Sequence, residues 1–476
     1  MNSFQGANLA NPSQKKDAPR RPSAPAAPQL SLAMASALHQ VLDENHFSEP
    51  GGGTTSQAIL ANLFVRGVAV KKQLAQQVFT GHLLEGLGNS GLLHEADGCI
   101  QSHFQAQRYK GLIFFSDFYR ESEQQDYVLQ VGPAGRYLAD LTIRRPVASA
   151  LDLGCGCGIH ALLMARHCTN VTATDINPRA LQLTRLNASI NGIQNVETLE
   201  GSFFEPLKHR SFDLITANLP YVISPESRHI YRDARDARGT GLFSLIRALP
   251  AHLNELGFSH VLANWVQDAG RPIWQPVRQA LLGLPVDSWL IHNGSKNASE
   301  YADMWLDIPK TEQPAYDKKK ADWLAWYRDQ QIEMIALGAL TLRRREAAGN
   351  WSCSASVPTP LSSAAGDQLF DLFTAQDALA SMQGADALEK ARLVCCSQPG
   401  FEVIPLDAGR WRLHTGGMQL AAEVSAGTLK VIRLLDGVRT LSEAKHLAKT
   451  GEMNLDSDIR LLISLGLLKC SQPNPG

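Results

Sequence analysis

Several features that would assign a protein class directly are missing from this sequence. Its 476 residues include only 8 cysteines, none in the C-x-x-C spacing of a zinc site, so we expect no metal centre. No apolar run approaches the roughly 18 residues of a membrane-spanning helix, and the first residues show no secretory signal. Together these absences predict no membrane partner and a cytoplasmic location with free thiols. Because 45 Lys and Arg balance 46 Asp and Glu, a uniformly basic nucleic-acid binder is excluded, but a local basic surface is not.

The length indicates more than one structural unit. At about 150 residues per domain, the chain would hold roughly three units. Shifts in composition along the chain predict where one unit ends and the next begins. The predicted segments are a disordered tail (1–50), a helical unit (51–112), a central domain (113–347), a linker (348–368) and a C-terminal unit (369–476).

Both ends of the chain differ from its centre. The first thirty residues hold five prolines and too few large apolar side chains to offset the entropy of ordering, so we expect disorder. Apolar positions at helical spacing begin near Ser56 and again near Val431, and each set leads into a Gly-Leu-Leu sequence. Both units look like small winged-helix domains. The predicted second and third helices of the first unit carry only two basic residues close together, Lys71 and Lys72. Such a small positive charge favours packing on the next domain over nucleic-acid binding or substrate docking.

The central segment alternates strand-like and helix-like runs. This alternation predicts an α/β fold, in which a Rossmann-like, mostly parallel sheet of seven strands is covered on both faces. Ser352–Gly366, which follows it, is rich in Ser, Pro and Ala and is the candidate linker. The strand-like runs are Ala148–Leu153, Val171–Asp175, Val196–Leu199, Phe212–Ala217, His260–Val266, Val286–Ile291 and Met334–Leu342.

A glycine-rich turn follows the first of these strands. Asp152 is followed by Gly154, Gly156 and Gly158, and glycines at such a turn allow a tight bend that brings backbone N–H groups close to a ligand. Asp175 lies 21 residues after Gly154, at the end of the second strand, where a carboxylate can accept both hydroxyls of a ribose. Together they predict a pocket for an adenosyl nucleoside.

The spacing of the glycines favours S-adenosylmethionine over a dinucleotide. A dinucleotide site has G-x-G-x-x-G, whereas this turn has G-x-G-x-G with Asp152 two residues ahead of it. A carboxylate there would repel a pyrophosphate but tolerate the ammonium and sulfonium charges of S-adenosylmethionine. A structural glycine turn with a capping Asp is the alternative.

A short polar and aromatic sequence, Asn218-Leu219-Pro220-Tyr221, follows the fourth strand. The Asn218 side-chain oxygen and the backbone carbonyl of Leu219 or Pro220 can both accept from one –NH2 group, which aims its nitrogen lone pair at a methyl donor. Tyr221 can stack on a planar acceptor. No strong general base is needed, since the proton can leave after the cationic product forms. A simple turn is the alternative.

The loop after Tyr221 is rich in arginine. It can form a positive rim beside the acceptor pocket or a solvated loop with internal ion pairs. Its basic residues are Arg228, His229, Arg232, Arg235 and Arg238.

These motifs resemble those of the class I S-adenosylmethionine-dependent methyltransferases. Asp152–Gly158 is similar to the first motif of that family and Thr174–Asn177 to the second. Where the family commonly has an acid for the adenine amino group, this chain has Ser202, whose hydroxyl can accept the same hydrogen bond. The resemblance implies cofactor contacts from Asp152, Gly154, Gly156, Gly158, Asp175, Ile176, Ser202, Phe203 and Asn218, and a catalytic motif of Asn218, Pro220 and Tyr221.

The acceptor motif and its surroundings narrow the resemblance. The N-L-P-Y sequence is similar to the N-P-P-Y motif of enzymes that methylate exocyclic amines of bases or glutamine amides, and the variant itself resembles that of the rRNA adenine dimethyltransferases. Gly132–Ala134 and Arg238–Leu242 resemble elements of the methyltransferase small-domain superfamily, which includes the release-factor glutamine-N5 and rRNA guanine-N2 methyltransferases. The resemblance covers about Phe114 to Leu342.

The predicted function is N-methyl transfer to a planar amide or exocyclic amino nitrogen of a macromolecule, either a glutamine of a translation factor or an rRNA base. Methylation of rRNA adenine-N6 and a binding scaffold without activity are the alternatives. An NAD-dependent oxidoreductase would leave Asn218–Tyr221 without a role. The sequence does not indicate an oligomeric state.

Overall fold

The structure is a computed structural model that describes residues 26–45, 47, 56–119, 126–226, 240–306, 308, 311–346, 349–357, 360–382, 385–395, 401–406, 409–450 and 455–471. Within these ranges, a central eight-stranded sheet is flanked by smaller units at both ends of the chain. No helix in them is long and apolar enough to cross a membrane. The arginine-rich loop after Tyr221 lies outside the described residues.

The N-terminal unit combines short helices with a small antiparallel sheet. In this sheet β3 lies between β1 and β2. The order of helices and strands is compatible with a winged helix, and that classification stays a prediction. The elements are α1 (Leu32–Glu44), α2 (Ser56–Ala61) with a following π-helical turn (Asn62–Arg66), β1 (Val70–Lys71), α3 (Lys72–Ala75), α4 (Gly81–Asn89), β2 (Leu93–Ala96) and β3 (Cys99–Ser102).

Helix α1 corrects the expected extent of the disordered tail. Residues 1–25 lie outside the described ranges, but residues 32–44 are helical, and the N-cap Ser31 accepts a hydrogen bond from Met34 N–H at 3.3 Å. Ala35, Leu38 and Leu42 are buried on one face of this helix. The five prolines that indicated disorder all precede α1, so the prediction of disorder up to residue 50 is wrong for α1.

A two-stranded hairpin joins the N-terminal unit to the central domain. It consists of β4 (Phe104–Tyr109) and β5 (Leu112–Asp117), which pair antiparallel. All six residues of β5 are buried, because the strand packs on α7 (Pro178–Ile190) of the central domain. The predicted boundary between residues 112 and 113 falls inside β5 and is therefore wrong.

The central sheet contains all seven predicted strands and one more. Strands β6 to β10 run parallel, whereas β12 is antiparallel to both β10 and β11. The α/β, Rossmann-like fold is confirmed, and the count of seven is corrected by β13, which pairs in parallel with β11. In spatial order the strands are β13 (Ser352–Ser356), β11 (Val286–Asn297), β12 (Met334–Arg344), β10 (Leu253–Gln267), β9 (Phe212–Ala217), β6 (Val147–Leu153), β7 (Cys168–Asp175) and β8 (Val196–Glu200).

Helices cover both faces of this sheet, and α10 and α11 form an insertion between β11 and β12. The parallel strands end at one edge, where ligands bind in open α/β sheets. Gly154, Asp175 and Asn218 all lie at this edge, at the ends of β6, β7 and β9. The helices are α5 (Pro133–Leu141), α6 (Ile159–Met164), α7, α8 (Thr240–Ala248), α9 (Gln275–Leu281), α10 (Ala298–Trp305) and α11 (Gln313–Asp329).

The segment predicted as a linker is part of the folded structure. It contains β13 and the start of α12 (Ala365–Ser381), which begins before the predicted domain start at residue 369. A Cβ at Gly366 would lie 2.3 Å from the Thr142 carbonyl oxygen, so α12 packs closely at the end of α5. Buried Arg343 of β12 donates to Asp287 and to Asp377 of α12, each at 2.6 Å. The small residues of this segment therefore form the edge strand β13 and allow α12 to pack closely, and they do not form a flexible linker.

The C-terminal unit contains two three-stranded sheets, β15-β16-β17 and β18-β14-β19. From α14 to β19 the order of helices and strands repeats that from α2 to β2. The middle strand β14 comes before this run, whereas the middle strand β3 of the N-terminal unit comes after it. Its classification as winged-helix-like also stays a prediction. The elements are α13 (Ala385–Glu389), β14 (Arg392–Cys395), β15 (Phe401–Pro405), β16 (Arg410–Thr415), β17 (Ala421–Ser425), α14 (Ala426–Ile432), β18 (Asp436–Thr440), α15 (Leu441–Ala448), α16 (Leu455–Ser464) and β19 (Leu468–Cys470).

Candidate active site

The glycine-rich turn between β6 and α6 has a backbone shape that favours glycine. Gly154, Gly156 and Gly158 have φ angles of 73°, 54° and 84°, all in the left-handed region. The N–H groups of Gly154 and Cys155 both donate to the Thr174 carbonyl oxygen at 2.9 Å, which ties the turn to the end of β7. A Cβ at Gly156 would meet no atom of the described chain within 4 Å. This side of the turn is therefore open to a ligand.

Asp175 links this turn to the second strand of the site. Its Oδ2 accepts from Gly156 N–H at 3.0 Å, and its Oδ1 accepts from Asn177 N–H at 2.9 Å. Burial raises the pKa of Asp175, and the backbone hydrogen bonds oppose that rise. A carboxylate has about four acceptor positions, so this geometry leaves capacity for the two hydroxyls of a ribose.

Asp152 lies behind the turn rather than on the surface of the pocket. The residue is 0% exposed; its Oδ2 accepts from Ala161 N–H at 2.9 Å and its Oδ1 from Thr216 Oγ1 at 3.1 Å. Burial raises the pKa of Asp152 to about 7. The carboxyl group thus holds α6 to β9, and direct contact with a cofactor, which the sequence predicts, is excluded by its burial in this structure. Any electrostatic attraction between Asp152 and a charged cofactor would therefore act across the glycine turn rather than by direct contact.

Large apolar side chains are exposed on the other side of Asp175. Ile176 is 52% exposed and Phe203 is 43% exposed. The segments that carry these two side chains are joined, because the Gly201 N–H donates to the Asp175 carbonyl oxygen at 3.1 Å. Phe203 has a φ of 48°, a costly conformation for an aromatic residue of the kind that clusters at ligand sites. Ile176, Ser202 and Phe203 therefore lie at the same edge as Asp175, as an adenine subsite requires.

The acceptor motif lies directly against the glycine turn. A Cβ at Gly154 would be 2.9 Å from Leu219 Cδ2, so the Leu219 side chain packs on the turn. Leu219 is buried, whereas Asn218 and Pro220 are half-exposed. Leucine in place of the first proline of an N-P-P-Y motif thus forms the contact between the two halves of the site.

Tyr221 is held between apolar clusters at the end of the motif. Its ring meets the ring of Trp305 edge-on, with centroids 6.2 Å apart and planes at 74°. Burial raises the pKa of Tyr221 to about 12, so the phenol stays neutral at physiological pH. The residue can offer a ring face or a neutral hydroxyl to an acceptor, but not a basic phenolate.

The inserted helices fix the backbone after Tyr221. Tyr327 Oη donates to the Ile223 carbonyl oxygen at 2.8 Å, and Ile223 N–H donates to Tyr301 Oη at 3.2 Å. Asn264 Nδ2 of β10 donates to the same Tyr301 oxygen at 2.8 Å. All four side chains are buried. Phenolic groups from α10 and α11 therefore hold the acceptor loop, the described residues 222–226 after the motif, through hydrogen bonds to its backbone.

A second contact from α11 holds the next part of the loop. Trp323 Nε1 donates to Glu226 Oε1 at 3.0 Å, and Lys319 Nζ lies 2.8 Å from the same oxygen. Trp323 is 1% exposed, which places it in the core. No sequence motif indicates that Trp323 also positions the loop after Tyr221.

Two polar residues of α7 support the turn from behind, and motif reasoning missed both. Thr184 Oγ1 donates to the Gly156 carbonyl oxygen at 3.1 Å. Asn187 Nδ2 donates to the Cys157 carbonyl oxygen at 2.9 Å. Both are fully buried polar residues on an otherwise apolar helix face, and that pattern is the signal that could have indicated them.

With this geometry established, the comparison with known proteins is decisive for the domain. Residues 150–238 match a family model described as a methyltransferase domain. The chain carries a class I methyltransferase domain. The open glycine turn, the Asp175 carboxylate and the exposed Ile176 and Phe203 fit S-adenosylmethionine as the cofactor.

Curated relatives share part of this methyltransferase domain. A release factor glutamine methyltransferase of Xylella fastidiosa is 34% identical over 130 residues, which are 25% of this chain and 47% of the relative. One from Geobacter sulfurreducens is 36% identical over 129 residues, with shares of 24% and 45%. The ribosomal RNA small subunit methyltransferase C of Escherichia coli is 32% identical over 116 residues, with shares of 24% and 30%. The chain thus spans less than half the length of these relatives.

Proposed function

We propose that the protein is an S-adenosylmethionine-dependent N-methyltransferase acting on a planar amide or exocyclic amino nitrogen of a macromolecule. The observation that supports this most is the packing of Leu219 on Gly154. It brings the Asn218–Tyr221 motif against the turn at which the methyl donor binds. When bound, S-adenosylmethionine supplies a methyl group on a positively charged sulfur.

The residues of the motif orient the acceptor. The Asn218 side-chain oxygen and a backbone carbonyl next to it accept from the two N–H bonds of an acceptor –NH2 group, so its lone pair points at the methyl carbon. With the acceptor held in this way, transfer would form a nitrogen–carbon bond as the carbon–sulfur bond of the donor breaks, and the positive charge would move to the nitrogen. The nitrogen would then lose a proton to water. Neutral Tyr221 packs on the planar acceptor, and neither it nor buried Asp152 acts as a base.

A macromolecular acceptor is the proposed substrate class. The relatives bear the names of a release factor and a ribosomal RNA methyltransferase, and half-exposed Asn218 and Pro220 are within reach of a large substrate. A scaffold without activity is not favoured, because the turn, Asp175 and Asn218 keep the arrangement that transfer requires. A cytoplasmic location stays a prediction.

The test compares Asn218→Ala with Asn89→Ala, a control at an exposed position of α4. Each protein is incubated with radiolabelled S-adenosylmethionine and a cell extract, and the label is followed through RNase and protease treatment. Loss of one orienting hydrogen bond of this kind typically costs about 10²–10³ in rate. We expect that loss for Asn218→Ala, with cofactor affinity by calorimetry within about twofold of wild type. Undiminished transfer by Asn218→Ala would refute the assignment.

A further inference from the structure

Positive side chains cluster at the tip of the β4–β5 hairpin, on α5, just after α5 and just after α6. In the described part of the chain, the one ion pair of this cluster joins Lys110 to Asp140. Five cations and one acid give the cluster a charge of 5 − 1 = +4, against −1 for the whole chain. We call it the α5 patch; its members are Lys110, Arg136, Arg144, Arg145 and Arg166, of which Arg136, Arg145 and Arg166 are exposed.

Contacts at the hairpin tip show that the first members are neighbours. Arg166 donates to the Lys110 and Gly111 carbonyl oxygens at 2.7 and 3.2 Å. The Arg136 guanidinium lies 5.3 Å from the centre of the Tyr109 ring, and Lys110 Nζ lies 5.7 Å from the same centre. Cations around a half-exposed aromatic ring are the combination that binds phosphates and bases.

The remaining members continue the patch beyond the end of α5. Arg144 donates to the carbonyl oxygens of Ala139 and Ser363, and the Arg145 guanidinium lies 4.7 Å from the centre of the Phe370 ring. Neutral carbonyls and rings fix the direction of these guanidinium groups without neutralising their charge. The patch therefore presents oriented, uncompensated positive charge.

The patch begins beside the acceptor site. Tyr137, next to Arg136 on α5, donates through Oη to Asn293 Oδ1 of β11 at 2.7 Å, at the edge where the parallel strands end. Tyr137 and Tyr221 pack against the same apolar cluster. Nine residues of α5 span about 13 Å. Because Arg144, Arg145 and Arg166 precede β6 and β7, they lie near the opposite edge of the sheet, so a bound chain would have to continue past Arg136 along α5 to reach the acceptor motif.

Two helices of the terminal units, α4 and α16, offer a poorer surface for phosphates. Helix α4 contains no Lys or Arg and one acid, Glu85. Helix α16 has Asp456 and Asp458 against Arg460. The positive charge that nucleic-acid binding requires is therefore found on the methyltransferase domain rather than on these two helices.

We propose that the α5 patch binds the phosphate backbone of RNA, which makes RNA the macromolecular substrate class. This inference rests on the proposed function. Four of the five cations are arginines, whose planar forks match phosphate oxygens in pairs. The extended arrangement and the Tyr109 ring suit a polyanionic strand better than the scattered carboxylates of a folded protein.

The test measures RNA binding by fluorescence anisotropy, with a labelled 20-nucleotide single-stranded RNA of mixed sequence between 50 and 300 mM salt. Arg136→Ala/Arg145→Ala is compared with charge-preserving Arg136→Lys/Arg145→Lys and with Lys430→Ala/Arg433→Ala, two exposed cations of the C-terminal unit. We expect the first variant to bind at least tenfold more weakly. The slope of log affinity against log salt should fall by about 1.4, since each single-strand phosphate contact contributes about 0.7. The lysine variant should keep the salt slope of wild type but bind more weakly than wild type, because it keeps the charge and loses the planar forks. Lys430→Ala/Arg433→Ala should bind like wild type.

Circular dichroism and calorimetry with S-adenosylmethionine establish that every variant is folded. Equal RNA affinity of wild type and Arg136→Ala/Arg145→Ala overturns the inference. If wild type transfers label to protease-sensitive material alone and does not bind RNA, the RNA class is wrong while the proposed function stands. If wild type binds RNA through the patch but transfers label to no macromolecule, the proposed function fails and the patch is still supported.

Discussion

The amide nitrogen of Asn187 donates to the Cys157 carbonyl oxygen at 2.9 Å, so a buried side chain of α7 holds the cofactor turn. The same nitrogen donates to the Phe115 carbonyl oxygen at 2.9 Å, and its Oδ1 accepts from Phe115 N–H at 2.7 Å. Asn191, one helical turn later, makes the equivalent pair of bonds to Ile113. The β4–β5 hairpin and the cofactor turn are therefore supported by one helix face.

The first prediction separates these two asparagines. Asn187→Ala should lower the free energy of unfolding by about 2–4 kcal/mol, because it leaves buried backbone groups of Phe115 and Cys157 unpaired. It should also weaken S-adenosylmethionine binding at least tenfold. Asn191→Ala should lose similar stability but keep cofactor affinity within about twofold, since Asn191 does not contact the turn. Urea unfolding and calorimetry provide both readouts, and equal cofactor affinities would contradict the idea.

The second prediction concerns the contact between the turn and the acceptor motif. Gly154→Ala places a Cβ 2.9 Å from Leu219 Cδ2 at a φ of 73°, so cofactor affinity should fall at least tenfold. Gly192→Ala is the matched control, because Gly192 has a φ of 66° and no described atom within 4 Å of an added Cβ. It should cost about 1–2 kcal/mol of stability without affecting cofactor binding.

Coupling between Gly154 and Leu219 can be measured directly. Leu219→Ala removes the close contact, so the double variant should lose at least about 0.5 kcal/mol less binding free energy than the sum of the single variants. Additive losses would show that the two residues do not act on each other.

The third prediction tests the hydrogen bond from Tyr327 to the backbone of the acceptor loop. Tyr327→Phe removes the hydrogen bond to the Ile223 carbonyl oxygen and should reduce kcat about tenfold while leaving cofactor affinity unchanged, because Ile223 lies on the acceptor side. Tyr316→Phe on the same helix, where the phenol bonds to Asp303, should leave kcat close to wild type. A reduced cofactor affinity with intact kcat would mean that this hydrogen bond serves the cofactor instead.

The fourth prediction is a pH dependence of stability from Asp152. Its pKa is about 7 in the folded protein against 3.8 ordinarily, so the folded state binds more protons between these values. The contribution of Asp152 is fully present below about pH 4 and is lost as the pH rises towards 7, by up to about 1.4 kcal/mol per pH unit. In Asp152→Asn the amide oxygen can accept from Ala161 N–H and the amide nitrogen can donate to Thr216 Oγ1, so both contacts are kept and this loss should disappear.

Buried histidines contribute with the opposite sign. Burial lowers the pKa of His160 and of His260 to about 3, so each adds stability as the pH rises from about 3 to 6.5. The informative quantity is therefore the difference between wild type and Asp152→Asn in urea unfolding at pH 5, 6 and 7. Parallel curves would rule out a titrating Asp152.

The parts of the fold that sequence predicts are those with local signals. Most strands of the central sheet have apolar runs, and the glycine turn requires φ angles that favour glycine. Strand β13 was missed because its sequence, Ser-Cys-Ser-Ala-Ser, has none of the β-branched or aromatic residues typical of strands. Helix α1 was missed because the prolines before it dominated the composition of the tail.

The missed parts of the site depend on contacts between distant positions. Tyr301 and Tyr327 meet Ile223 across 78 and 104 residues, and no spacing rule connects a tyrosine to a backbone group so far away. The motif indicates Asp152, but not that its carboxylate accepts hydrogen bonds from Ala161 and Thr216 behind the turn. A motif therefore indicates which residues matter, while the tertiary structure decides what each one touches.

The position of the middle strand in each terminal sheet has a consequence for the order of folding. In the N-terminal unit, Ala96 of β2 pairs with Cys99 of β3 across a tight hairpin. In the C-terminal unit, Leu393 of β14 pairs with Cys470 of β19, so this sheet closes a loop of nearly the whole unit. Long-range pairing of this kind slows folding. During synthesis, the N-terminal sheet can form once residue 102 has emerged, whereas the β18-β14-β19 sheet is complete only after residue 470.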